Sequence, residues 1–538
     1  MNLSSQIKAA AWRENLAGYR DRPAPEGARE GAFNQLDLTD SPADKPADIA
    51  ADGLDRNGPG TGTDRDRDRN GPGEDPVQVL AAILGESVPE HLAAELDSAR
   101  TGLAVAVPRA AARARHLEAL AHRAGASTLA QLVARCTKDP DAVTRLLETL
   151  ATGGHQLHPC ARTRLGWNRG DLERYDLETP RPIRVRLVAD PSGVLERSGQ
   201  DFRDHPMLAG LDLPDPVLPV HPWQLEHRIL PGYADLFDSG RLRLLDEAVP
   251  AWPTAAIRTL AGHRAPGFLK LALGIHITST RRDISPATAL LGPRLSTLLN
   301  TIYRIGDNGL ETQHRIIADV AGTWLPGSRE LTALARDRLR APEGTVCVPA
   351  TALVATSPVT GISLAAEYAD WSGDPDAWIR GYARKFIGPV LRLAGAGIGL
   401  EAHLQNSLMA MRGPDPVCPI TRDLGGARIH LPTLPWALQL PTGSPVNAES
   451  MDQVRSKVAY TLFQNHLAAL VAVLERDLGL NGDAFWSDVA DSLGPLPGAD
   501  RDYYLAPKQP TKALLTMRLH PGQEIETLVD NPLARRRR

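Results

Sequence analysis

Residues 401–426, EAHLQNSLMAMRGPDPVCPITRDLGG, crowd chemically able side chains into one short segment. Glu401, His403, Gln405, Asn406, Arg422 and Asp423 all fall within it. NSLMAM and VCPITR are short apolar runs, and Gly413-Pro414-Asp415-Pro416 between them is a turn signal. The pattern predicts a hairpin whose symmetric closure sets Asn406 opposite Asp423. An amide and a carboxylate facing each other beside a histidine are poor core material. They suit a metal–nucleotide complex and an acidic substrate.

A second cluster lies upstream. TAAIRTL (254–260) and FLKLALGIHITST (268–280) flank AGHRAPG, which reads as a hairpin loop. With Arg264 at its centre, Arg258 faces Lys270. Strand alternation sets Lys270, His276, Thr278, Thr280 and Arg282 on one face, with Leu269, Leu271, Leu273, Ile275 and Ile277 on the other. Like charges directly opposite destabilise a sheet; an anion such as a triphosphate between them, with Thr259 nearby, reverses that sign. Left without one, both cations would face water. At about 3.3 Å per residue, Arg282 would lie about 40 Å from Lys270 on one straight strand. The chain must therefore bend, with Gly274 a candidate position, or the two cations must serve different parts of a long site.

The third cluster is GGHQLHPCARTRLGW (153–167). His155 and His158 have the HxxH spacing of some zinc sites, with Cys160 close by, but no fourth ligand is suitably placed. Local hydrogen bonding by the histidines is the expectation, with Arg162 and Arg164 facing an anion. HPWQ (221–224) reads as architecture, a buried His and Trp with polar handles.

The elements that must position these clusters form an α+β pattern. Residues 2–20 and 77–150 read as helical, and 183–190 and 254–280 alternate as strands do. Trp378, Tyr382, Phe386 and Val390 recur at spacing four from 376 onwards. Residues 448–478 form a long apolar-periodic helix, and 511–519 a last helical piece. Residues 38–76 are rich in Asp, Arg, Gly and Pro and repeat DRNGPG. Such a segment buries too little apolar area to offset its ordering entropy, and it is expected to be a disordered insert.

The 538 residues suffice for two to four domains, and a net charge of −4 gives no global basicity for nucleic acid. The Arg535–Arg538 tail reads as a solvated end. The four cysteines form no CxxC pair, so neither a disulfide framework nor a zinc ribbon is indicated. No signal peptide or membrane span is evident, so a cytoplasmic protein is the expectation. There is no GxxxxGK[ST], GxSxG or HExxH motif. GAGIG (395–399) follows a helix without a βαβ unit and reads as a loop delivering Glu401 and His403.

In this order the clusters resemble the NRPS-independent siderophore synthetases, the family that includes the aerobactin synthetases. The family's HPxxKxRxG pattern falls on 158–166 and HPWQ on 221–224. SxRT falls on 256–259, KL…ITSxxR on 270–282, EAHxQN on 401–406 and RD…G on 422–425. KxLLxMRL falls on 512–519. The resemblance implies a cupped hand of thumb, fingers and palm, divided here as 1–150, 151–345 and 346–538, and a homodimer. It implies activation of a carboxylic acid, often citrate, as an acyl-adenylate with ATP and Mg²⁺. An amine or alcohol then displaces AMP.

On this resemblance Arg258, Thr259 and Lys270 match nucleotide-phosphate positions, joined by His158, Arg162 and Arg164. Thr278, Arg282 and His403 match acid-substrate positions, and Gln405, Asn406 and Asp423 match nucleotide and metal positions, with Glu401 beside the metal. His403, Arg282 and Lys270 are the expected catalytic residues. Two positions depart from the pattern. Ala256 stands for the family's Ser, leaving Thr254 or Thr259 to replace its hydroxyl, and Arg162 stands for its Lys. The competing readings are a kinase-like phosphotransferase using HLQN and Asp423, and a ligand-binding homologue with weakened catalysis.

Overall fold

Short helices whose starts are marked in the sequence lead into the site. Helix Pro140–Glu148 begins with Pro at its first position, and the Asp139 carboxylate accepts from Ala142 N at 2.9 Å. Its last residue, Glu148, is buried. Asp374 caps helix Pro375–Gly395 in the same way, and Trp378, Tyr382, Phe386 and Val390 form its buried stripe as the spacing of four requires. The computed structural model describes residues 3–25, 27–38, 75–136, 139–278, 280–305, 313–441 and 443–534. Most of the expected insert, the 535–538 tail and Ser279 lie outside the described residues.

An eight-stranded antiparallel sheet is the largest. Its order is Glu196–Gly199, Asp319–Trp324, Thr332–Arg336, Phe268–Leu271, Thr259–Gly262, Arg243–Pro253, Ile183–Ala189 and Val217–Val220. The apolar residues Leu269, Leu271, Ala333 and Ala335 join the core beneath it. The opposite face carries charge. Asp319 pairs with Arg336, Leu334 with Lys270 and Lys270 with Thr259. Side chains two residues apart share a face, so Asp319, Arg336, Lys270 and Thr259 form one polar patch. Helix Pro286–Ile305 packs over this face, where Gly292 approaches Leu334 and Asp319 too closely for a Cβ.

The predicted register of the first hairpin is off by one. Thr259, not Arg258, faces Lys270. The loop is closed by Gly262 N donating to Gly267 O at 3.0 Å, so its centre falls between Arg264 and Ala265. A one-residue slip would send Arg258 to the other face. It escapes because the strand begins only at Thr259 and Ile257 sits at φ +64°.

The 40 Å problem is solved by two changes of direction. The chain leaves the large sheet at Ala272, and Leu273–Ile277 joins a three-stranded sheet with Thr280–Arg282 and Arg164–Leu165. It then reverses after Ile277, which pairs with Thr280, so Arg282 lies opposite Leu273. The bend is at Ala272, ahead of the Gly274 named as a candidate.

Strands Ser407–Arg412 and Asp415–Thr421 form the second predicted hairpin, within a four-stranded sheet. Its register also departs from the symmetric expectation. The turn closes on Gly413-Pro414, with Arg412 opposite Asp415, one position ahead of the expected centre. A bulge opposite Ala410–Met411 takes up one extra residue on the second strand, so Ser407 pairs with Thr421. Arg422 N then donates to Asn406 O at 2.9 Å, making Arg422 rather than Asp423 the partner of Asn406.

The long helix Met451–Leu478 is apolar enough to cross a membrane by composition, but it is mostly buried in the core. Its middle, Ala459–Leu467, is π-helical. The predicted 511–519 helix is split into a strand, Lys508–Lys512, and a helix, Leu514–Leu519. The largest core joins Phe33 and residues 117–147 to residues between 346 and 533, and two smaller ones join 291–303 to 393–446 and 261–317 to 347–420.

Candidate active site

Asp423 stands at the centre of the charged patch. Its Oδ1 accepts from Lys270 Nζ at 2.6 Å and lies 3.1 Å from Arg336 Nη2. Arg336 is itself anchored by Asp319 at 2.6 Å. Burial alone would raise the Asp423 carboxyl, but Arg336 and Lys270 outweigh it and hold the group well below the usual carboxylate range. Burial pushes the Lys270 ammonium down to about 8 against the pull of Asp423. Arg258 reaches the same neighbourhood, where its Nη1 donates to the carbonyls of Arg282 and Asp283 at 2.8 and 2.7 Å. Three cations thus share the carboxylates Asp423 and Asp319, leaving local positive charge for a polyphosphate.

Arg282 connects this patch to a second group. Its Nη2 donates to Thr278 Oγ1 at 2.7 Å. Burial, then Arg258 and Arg164, bring Arg282 down to about 10, so it stays a cation at neutral pH. The second group contains Glu401, whose carboxylate is 3.0 Å from Lys457 Nζ, 3.9 Å from His403 Nε2 and 3.4 Å from Asn406 Nδ2. Burial raises Glu401, yet Lys457 and His403 hold it net below its ordinary value. Burial keeps His403 below the ordinary imidazole value, with Glu401 opposing, so the ring is largely neutral at pH 7.

The backbone is strained where these groups meet. Ile257, Thr278 and Asp423 all have positive φ, at +64°, +58° and +66°. For β-branched residues this is costly, at roughly 1–3 kcal/mol each, and such outliers cluster at functional sites. Gly426 shows the opposite device: a Cβ there would collide with the Glu401 carboxylate.

The other predicted positions divide. Gln405 Nε2 donates to Ala255 O at 2.6 Å, bridging the two hairpins. The Thr254 hydroxyl donates to Thr259 O at 2.9 Å, while the buried Thr259 hydroxyl has no partner among the described residues. Of the two threonines beside Ala256, it is therefore Thr259, and not Thr254, whose hydroxyl is available. His158 is buried with Nε2 unpartnered, and its Nδ1 accepts from Cys160 N at 3.0 Å. His155 Nδ1 accepts from Leu157 N at 3.2 Å, so both histidines bond locally as expected. No cluster of three or more His, Cys, Asp or Glu able to hold a metal occurs among the described residues.

Arg162 and Arg164 do not face an open anion site. Arg162 is bonded to Glu178 at 2.9 Å and Asp176 at 3.2 Å, and Arg164 lies 3.3 Å from Asp176. These carboxylates, 12 to 16 residues further on, supply the anions the sequence reading left to a ligand. HPWQ is architecture: His221 accepts from Trp223 N at 3.2 Å, and Gln224 Oε1 accepts from Gly274 N at 2.7 Å.

Sequence reasoning missed Arg336, Asp319, Lys457 and Glu148. Arg336 carried one signal, a lone charge ending the otherwise apolar strand TALAR. Glu148 accepts from Arg422 Nη1 at 2.5 Å and from Ala255 N at 2.9 Å, and nothing local in the sequence marks it.

A sequence profile described as the IucA / IucC family matches residues 144–355. One described as a ferric iron reductase FhuF-like transporter matches 376–527. The chain is 25% identical over 437 residues to staphyloferrin A synthase of Staphylococcus aureus, covering 74% of each. It is 26% identical to the D-ornithine–citrate ligase of that organism, covering 60% of this chain and 56% of the relative. Among solved structures, aerobactin synthetase IucC from Klebsiella pneumoniae superposes with a TM-score of 0.71 at 18% identity, over 99% of this chain and 97% of that one. ATP-bound IucA from the same organism gives 0.61 at 19% identity, over 83% and 87%. These likenesses establish the shared α+β fold.

Proposed function

The chain belongs to the IucA/IucC family of siderophore synthetases, and from that premise we propose that it is an ATP-dependent, AMP-forming ligase. It activates a carboxylate of citrate or a related polycarboxylic acid and joins it to an amine or alcohol. The observation that carries this reading is the sharing of Asp423 by Lys270 and Arg336, with Arg258, Arg282 and His403 alongside. The named activities of the relatives, citrate ligation among them, agree with it.

The substrate carboxylate attacks the ATP α-phosphorus, forming an acyl–oxygen–phosphorus link and expelling pyrophosphate. Two anions must approach each other, so neutralising charge is the main requirement. In this reading Lys270 and Arg258 meet the phosphate oxygens, and the Thr259 hydroxyl adds a neutral donor. Arg282 and Thr278 hold the acid. No protein nucleophile takes part. The amine or alcohol then attacks the acyl carbon and AMP leaves. The largely neutral His403 is suited to accept the proton released, with Glu401 nearby to stabilise the imidazolium formed.

Hard oxygen donors suit Mg²⁺, which commonly takes one or two carboxylates together with substrate phosphates. Asp423 and the Asn406 amide oxygen would hold it, with Glu401 beside them. When bound, it neutralises developing phosphate charge. The proposal extends to thumb, fingers and palm regions at 1–150, 151–345 and 346–538, a cytoplasmic location and a homodimer.

Incubation with ATP, Mg²⁺ and citrate should release AMP and pyrophosphate, and hydroxylamine should trap the acyl group as a hydroxamate. ADP as product would instead make the chain a phosphotransferase. No turnover across a broad panel of acids and amines would make it a binding protein.

A further inference from the structure

Arg13, near the end of the N-terminal helix Leu3–Glu14, is 4% exposed and forms no ion pair among the described residues. Its Nη2 donates to Gln464 Oε1 at 3.0 Å and to Thr511 Oγ1 at 2.8 Å, both neutral acceptors. Nε is buried without an acceptor among the described residues. The adjacent carboxylate, Glu14, is committed elsewhere: it accepts from Leu515 N, Thr516 N and the Thr516 hydroxyl at 2.7–2.8 Å. Burial lowers Arg13 from its ordinary value and outweighs Glu14, which still attracts the guanidinium through space. A buried guanidinium hydrogen-bonded only to neutral groups is costly unless an anion completes it.

The surroundings tie Arg13 to the active site. Gln464 is followed by Asn465, whose Nδ2 lies 3.4 Å from His155 Nε2. The His155 and His403 rings are 6.4 Å apart. Gln464 and Asn465 both lie in the π-helical stretch Ala459–Leu467, a distortion often found at functional sites. Burial, then His403 and then Arg13, bring His155 down to about 3, so the neighbouring ring adds no competing charge at neutral pH.

Resting on the function proposed above, we infer that Arg13, with Asn465 and His155, forms a subsite for a substrate carboxylate other than the one being activated. The guanidinium supplies charge-assisted hydrogen bonds and the Asn465 amide fixes the orientation, while Gln464, its amide spent on Arg13 and on Pro510 O, holds the guanidinium in place. The carboxylate belongs either to the incoming amine or alcohol or to a remote arm of the acid. Both sources share the same chemistry, and matched substrates separate them.

The test compares pairs that differ by one carboxylate: ornithine against 1,4-diaminobutane, and citrate against citramalate. In the full-length wild type, kcat/KM favours the carboxylate-bearing member of one pair. In Arg13→Met that preference falls at least tenfold through KM, while the member lacking the carboxylate is nearly unaffected. Arg13→Lys, which keeps the charge, retains part of the preference and guards against a folding defect. The affected pair identifies the source. An equal loss on both members of both pairs, or unchanged preferences, overturns the subsite. If the wild type releases neither AMP nor pyrophosphate with any acid, the ligase reading fails on its own. Calorimetric binding of the same four compounds to wild type and Arg13→Met then decides the subsite separately: weaker binding of a carboxylate-bearing member alone supports it, and no selective weakening overturns it.

Discussion

Lys270 is a buried ammonium at the phosphate end of the site, and its proton is the residue-scale variable. Because burial brings it to about 8, well below its ordinary 10.5, it sheds its proton within the working range of many enzymes. The protonated form binds phosphate, so kcat/KM for ATP should fall as pH rises through about 8. Lys270→Arg should move that limb upward, and a pH–rate profile of both proteins checks it. The stability sign is opposite. Between about 8 and 10.5 the unfolded chain holds a proton the folded chain has lost, so this group's contribution to stability grows with pH. At the acid end, His403→Ala should abolish hydroxamate formation while the thermal melting profile stays that of a folded chain. Wild-type hydroxamate yield would remove His403 from the acid site.

Two hairpins present the site, and at the element scale their registers decide which side chains meet. In both, the turn was legible and the register was wrong by one residue. The Gly262–Gly267 loop closes off-centre, and the second turn closes early, on Gly413-Pro414, a slip that the bulge in Asp415–Thr421 only half restores. Neither leaves a mark in residue type, because bulges and loop closures follow from twist and packing on neighbouring strands. Arg258 and Asp423 still arrive because each lies just past its strand end, beside or at a positive-φ residue. Close approach of the 424–426 turn to Glu401 is just as necessary. Gly426→Ala would place a Cβ on the Glu401 carboxylate. It should displace the Lys457 and His403 contacts and lower kcat at least tenfold, with little change in melting temperature. A wild-type kcat in a steady-state AMP assay would show that Glu401 placement is unimportant.

Across the whole molecule, segments far apart in sequence close the site. Glu148 and Arg422 are 274 residues apart, and both are buried. Their pair ties the end of helix Pro140–Glu148 to the EAHLQN hairpin, while Ala255 N on the other hairpin donates to the same carboxylate. Removing one partner leaves a buried unpaired charge, which typically costs about 3–5 kcal/mol. Glu148→Ala should therefore lower stability by about that amount in denaturant titration and weaken activity through misplacement of both hairpins. A loss under about 1 kcal/mol would mean that solvent reaches Arg422.

What the sequence determined by itself was the inventory and most of the elements. Side-chain periodicity marked the helices and strands, turn residues marked both hairpins, and motif order marked the family, because these signals are local. Tertiary structure alone decided the pairing of charges. Arg162 and Arg164 were legible as cations but not as the partners of Asp176 and Glu178. Asp423 was legible as an acid but not as the carboxylate held by Lys270 and Arg336. Arg13 gave no signal at all until the fold set it beside Gln464 and Thr511. The energy of a buried charge depends on which other charges and donors surround it within a few ångströms, and only the folded chain sets those neighbours.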